Sequence, residues 1–206
     1  MKSAIALAEK GRGFTNPNPL VGAVIVKNGK IIAEGWHHKL GSLHAERDAL
    51  KNAAEKNVDV RGASIYVTLE PCCHTGRQPP CTQAIIESGI SEVIYGSSDP
   101  NPLVNGKGKK ILEAAGVKVA AGFLKEECDK LNPVFFHYIK NKMPYVILKY
   151  AMTADGQTDC NFKSRKPLDY RTVGAQKCAP DPRKRNGGFD RNRNCKERQS
   201  NAQCPP

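Results

Sequence analysis

Apolar residues recur at helical spacing over Lys2–Arg12, where Ala4, Ile5 and Ala8 share a face. Two β-prone runs follow, Val21–Val26 and Ile31–Trp36, separated by Lys27-Asn28-Gly29-Lys30. Asn-Gly between two such runs predicts a tight hairpin, because both turn residues must take positive φ. His44–Lys56 has helical spacing through Ala45, Ala49, Leu50 and Ala53. Ile65–Leu69 reads as a short buried strand and Thr82–Ser88 as a helix that Gly89 stops. Val93–Gly96 predicts a strand, Lys109–Ala115 a helix, Val117–Ala121 a strand and Glu126–Ile139 one final helix. Alternating strands and helices imply an α/β domain, a three-layer αβα sandwich with helices on both faces. A hairpin ahead of the strand–helix units makes its sheet mixed.

The pattern changes after residue 142. Tyr145–Lys149 predicts one more strand, followed by Ala154-Asp155-Gly156. From Asp159 no helical or strand period remains, and Lys, Arg and Asn dominate. Such a segment buries too little apolar surface to offset chain entropy, so disorder is expected. The chain divides into residues 1–142, a folded domain; 143–158, the start of a second one; and 159–206, a basic tail. A shifted reading frame at Asp159 would account for that tail.

Charge follows the same division. The formal net charge is +12, and residues 159–206 hold 12 Lys+Arg against 5 Asp+Glu. A basic tail raises the question of nucleic acid, but no stacking aromatics interleave with the charges, so that partner is not expected. No apolar run approaches the ~20 residues of a membrane span, and the charged N-terminal helix does not read as a signal peptide. A soluble cytoplasmic protein is the expectation.

Eight cysteines would permit disulfides, but three of them, Cys72, Cys73 and Cys81, crowd one loop. With His44 they supply metal-ligand chemistry in a reducing compartment. A catalytic zinc site uses three protein ligands and leaves the fourth tetrahedral position to water. His44, Cys72 and Cys81 meet that requirement. Glu46, two residues from His44, is placed to move protons without binding metal. This is the H-x-E…P-C arrangement of zinc deaminases. A closed structural site is the alternative, with Cys73 or His74 as fourth ligand.

Eight residues separate Cys72 from Cys81, where nucleobase deaminases usually have two. This enlarged loop resembles the deaminase half of the riboflavin-biosynthesis deaminase/reductase family. The resemblance runs from about Ala4 to Gly156. It includes Asn16-Pro17-Asn18-Pro19-Leu20-Val21-Gly22, His44-Ala45-Glu46, Thr68-Leu69-Glu70-Pro71-Cys72, Gly76-Arg77 with Pro79-Pro80-Cys81, and Asp99-Pro100-Asn101-Pro102. It implies a cytidine-deaminase-like fold and a Zn2+ cofactor. It also implies hydrolytic deamination of 2,5-diamino-6-ribosylamino-4(3H)-pyrimidinone 5′-phosphate.

The resemblance further implies a homo-oligomer, and a reductase domain beginning near residue 143 whose activity is expected to be absent here. It points to Asn18, His37, His74, Arg77, Asp99 and Asn101 as substrate contacts. Arg77 suits the phosphate because its planar fork donates paired hydrogen bonds. Glu70 would orient the cysteine loop. Two rival readings are another zinc-dependent deaminase of nucleosides or nucleic acid, and a non-catalytic protein that binds zinc and RNA. The long cysteine loop argues against the first.

Overall fold

The computed structural model describes residues 1–75, 78–101 and 104–150. Arg77 and everything from residue 151 onward, including the expected tail, lie outside the described residues. The first of two compact units is Met1–Tyr145.

The first unit opens with helix α1 (Lys2–Glu9), then strands β1 (Gly22–Lys27) and β2 (Lys30–Trp36). Asn28 and Gly29 join these strands at φ 53° and 72°, the two positive values that the Asn-Gly pair predicts. Helix α2 (Ala45–Glu55), strand β3 (Ser64–Leu69), helix α3 (Cys81–Glu87), strand β4 (Glu92–Ser97), helix α4 (Lys107–Ala114) and strand β5 (Lys118–Ala121) follow. The sheet order is β2-β1-β3-β4-β5. β1 runs antiparallel to both β2 and β3, whereas β3, β4 and β5 are mutually parallel. The sheet is therefore mixed, as the pattern predicts.

Alternation along the strands divides the core. Ala23 and Ile25 face a cluster that includes Ala45, Ala49 and Ala53 of α2, Ile85 of α3 and Leu112 of α4. Val24 faces the opposite way, onto Ala4 and Leu7 of α1. The alanines of α2 let the helix lie close against β2. A Cβ on Gly35 would sit 2.3 Å from the Ala49 backbone nitrogen, so only glycine fits at this crossing.

Two expectations are corrected. The final helix is two: α5 (Lys125–Asp129) and α6 (Pro133–Asn141). Pro133 has no N–H to continue a helix but suits the first turn of a new one. Asn132, buried at the break, accepts a hydrogen bond from Leu20 N (2.7 Å) and donates one to Leu20 O (2.8 Å). The expected strand Tyr145–Lys149 is irregular backbone with exposed side chains. An apolar run becomes a strand only where another strand takes its hydrogen bonds, and among the described residues none pairs with it.

Candidate active site

Two helix beginnings and one strand end converge. His44 is the N-cap of α2, in extended backbone conformation, and Glu46 lies in that helix's first turn. Cys81 is the first residue of α3, after Pro80. Cys72 follows β3 by three residues and is tied to α3 by Thr82 N–H donating to Cys72 O at 3.1 Å. His44 Nδ1 stands 3.4 Å from Cys72 Sγ and 3.4 Å from Cys81 Sγ. Cys81 N–H donates to Cys72 Sγ, also at 3.4 Å.

The ligand atoms of His44, Cys72 and Cys81 all lie within 4.8 Å of one another. One imidazole nitrogen and two sulfurs converging this closely is a donor set that fits zinc. Among the described residues, neither Cys73 nor His74 joins this group.

Electrostatics bind the cluster together. Cys72 is held down to about 4, first by the hydrogen bond from the Cys81 thiol and also by His44. Cys81 is pushed well above its ordinary range because it donates that bond and is buried. His44 is raised mainly by its bond to Cys72. Glu46 is buried, and burial, reinforced by the charge on Cys72, lifts its carboxyl to about 7. A carboxyl poised near neutrality both accepts and donates protons efficiently.

Beside the cluster lies a cavity of about 390 Å³, which His44, Glu46 and Cys72 help to line. Asn18, His37, His74, Asp99 and Asn101 line the same cavity, although they come from four separate stretches of sequence. His37 Nδ1 donates to Leu43 O at 2.9 Å, which leaves Nε2 to accept the Asn18 amide at 3.2 Å. Burial lowers the His37 pKa, so the ring is neutral and this tautomer is fixed. His38 instead pairs with Asp48 at 3.0 Å and stacks on Trp36. Burial raises the Asp99 carboxyl.

Leu40, Gln78 and Phe135 also line the cavity, and no motif in the sequence marks them. Gln78 sits in the enlarged loop and bonds Gly41 O at 3.4 Å. Phe135 comes from α6. Arg47, next to Glu46, reaches the carbonyls just ahead of Cys81 with its guanidinium.

This arrangement, with a helix-borne His-x-Glu facing two thiols at the end of a mixed sheet, defines a zinc-binding deaminase domain. Residues 1–97 match the family described as the cytidine and deoxycytidylate deaminase zinc-binding region. The chain is 64% identical over 157 residues to the riboflavin biosynthesis protein RibD of Actinobacillus pleuropneumoniae, covering 76% of this chain and 41% of that protein. It is similar to the crystal structure of a diaminohydroxyphosphoribosylaminopyrimidine deaminase/5-amino-6-(5-phosphoribosylamino)uracil reductase from Thermotoga maritima. That likeness has 54% identity and a TM-score of 0.72, over 75% of this chain and 44% of that one. A Rib2 deaminase from Aspergillus oryzae, 28% identical with a TM-score of 0.51, matches over 62% of this chain and 86% of its own.

Through its N-terminal portion the chain carries a match to the cytidine and deoxycytidylate deaminase zinc-binding region and is similar to the deaminase side of riboflavin-biosynthesis deaminase/reductase proteins. It spans about two fifths of the length of the curated relatives it matches. No helix among the described residues is long and apolar enough to cross a membrane.

Proposed function

We propose that this chain is a zinc-dependent aminohydrolase that converts 2,5-diamino-6-ribosylamino-4(3H)-pyrimidinone 5′-phosphate and water to 5-amino-6-(5-phosphoribosylamino)uracil and ammonia. The observation that carries the reading is the convergence of His44, Cys72 and Cys81, with buried Glu46 beside them, at a cavity that His44, Glu46 and Cys72 help to line. The relatives bearing this deaminase name support the choice of substrate.

His44, Cys72 and Cys81 would hold the zinc. Bound there, zinc supplies a water whose pKa is lowered toward ~7. Glu46 takes the proton from the attacking water, passes it to a ring nitrogen and later gives a proton to the departing amine. Burial, which favours the protonated carboxyl, helps it hold the proton between the two transfers. Asn18, oriented by neutral His37, contacts the pyrimidine edge. His74, Asp99 and Asn101 hold the ring and ribose, and Arg77 takes the phosphate. Residues 1–142 form the deaminase domain, and the reading includes a cytoplasmic setting and a homo-oligomer.

The test has two parts. Purified zinc-loaded protein should release ammonia from the diaminopyrimidine ribose phosphate far faster than from cytidine or deoxycytidylate; preference for either of those assigns a different deaminase. Cys81→Ala should lose most of its zinc by elemental analysis, and full retention removes Cys81 from the ligand set.

A further inference from the structure

Glu70 leads from β3 toward Cys72 and is 3% exposed. Its own N–H donates to Ser97 O at 2.9 Å, at the end of β4. Its carboxylate reaches further. A single oxygen, Oε2, accepts Asp99 N–H at 3.4 Å and Gly106 N–H at 3.2 Å. Those two residues bracket the segment that brings Asp99 and Asn101 to the cavity. One oxygen therefore ties cavity-lining Asp99 to Gly106, at the start of α4.

The same contact reaches a helix. Gly106 is the N-cap of α4, and a carboxylate is favoured at a helix N-terminus because the backbone N–H groups there carry partial positive charge. Gly108, in the first turn, would place a Cβ 2.5 Å from Pro71 O and 3.4 Å from Glu70 Oε1. Glycine at 108 lets α4 rest directly on Glu70-Pro71, and the next residue is Cys72. Oε1 itself is buried and, among the described residues, has no hydrogen-bond partner. Glu70 itself helps to line the cavity, beside Cys72.

We propose that Glu70 is a positioning residue for substrate binding. It holds Asp99 and Gly106 at a fixed distance from Cys72, so that the groups that grip the substrate stay in register with those that carry the chemistry. The inference rests on the reading that this cavity takes the substrate. It requires no titration of Glu70, only that its oxygens accept hydrogen bonds.

The experiment compares full-length, zinc-loaded Glu70→Ala, Glu70→Gln and Gly108→Ala with the parent protein. Zinc content, KM, kcat and hydrogen–deuterium exchange of the segment 98–108 are measured for each. Displacing a substrate-gripping wall by ~1 Å has large kinetic effects, so Glu70→Ala should raise KM roughly tenfold or more, beyond any fall in kcat, with zinc unchanged. Exchange should quicken in 98–108 and not in α2. Glu70→Gln, whose amide oxygen still accepts both N–H groups, should restore KM to within about threefold of the parent. Gly108→Ala, which pushes α4 off Pro71, should repeat the Glu70→Ala pattern and carries the test should Glu70→Ala fail to fold. The proposal is overturned by an unchanged KM with unchanged exchange, by a KM defect that glutamine does not rescue, or by zinc loss that accounts for the defect. Parent protein that releases no ammonia contradicts the functional reading alone; the exchange measurement still decides whether Glu70 holds the wall.

Discussion

Arg47 donates from Nη2 to the carbonyl of Pro80 at 3.2 Å, across 33 residues of sequence. Its Nε makes a second bond, to Pro79 O at 3.2 Å. One guidinium on the first turn of α2 thus clamps the end of the enlarged loop immediately before Cys81. Because Glu46 and His44 begin the same helix, the clamp ties the thiol ligand to the imidazole and the proton carrier.

Arg47→Ala should therefore speed zinc release. Residues that orient metal ligands typically contribute about 10- to 100-fold to metal affinity. A partly exposed clamp acting through carbonyls belongs at the lower end, roughly tenfold. Transfer of zinc to a chromogenic chelator reads the rate directly, and equal rates for variant and parent would show that the loop holds its shape without Arg47.

Asn132→Ala should be among the more destabilising single changes. It strips partners from both the N–H and the C=O of Leu20, which is buried. A buried backbone group left unpaired costs about 1–3 kcal/mol, so a loss of roughly 2–4 kcal/mol is expected. Urea unfolding measures it; a loss under about 1 kcal/mol would mean that water replaces the amide.

The contrast between these residues shows what the amino-acid order reveals. Asn28-Gly29 declares its hairpin because turn chemistry is local, and the strand alternation at Ala23, Val24 and Ile25 declares two packed faces for the same reason. His44, Glu46, Cys72 and Cys81 stand out because their spacing and chemistry are rare together. Asn132 does not, since its partner is 112 residues away and an asparagine before proline looks like an ordinary turn. The break at Pro133 was legible from the proline's missing donor, yet the apolar spacing on either side masked it. Leu40, Gln78 and Phe135 meet only in the folded cavity, so nothing in their local sequence marks them.

Glu46 should leave a pH signature in metal-free protein. Burial raises its folded pKa from 4.5 to about 7. Between those values the folded state keeps a proton that the unfolded chain has released, so this carboxyl's contribution to stability falls as pH rises. Cys72, depressed to about 4, works in the opposite sense over the same window, which makes the parent's own profile a poor readout. The difference from Glu46→Gln isolates the carboxyl. With chelator present, the glutamine variant should gain stability relative to the parent from about pH 4.5 to about 7 and no further above it. Parallel urea midpoints at pH 5, 6 and 7 (on the order of the window set by the burial shift) would show that Glu46 ionises freely.

The most direct measurement is ammonia release from the diaminopyrimidine ribose phosphate by zinc-loaded parent protein and zinc-loaded Glu46→Gln, with metal content determined on the same samples. The amide preserves the shape of the carboxyl but cannot exchange protons at neutral pH, and acid–base groups contribute about 10²- to 10⁴-fold. The account predicts equal zinc, about one ion per chain, and deamination reduced by at least about a hundredfold in the variant. Near-parental turnover by a fully loaded Glu46→Gln protein would contradict it.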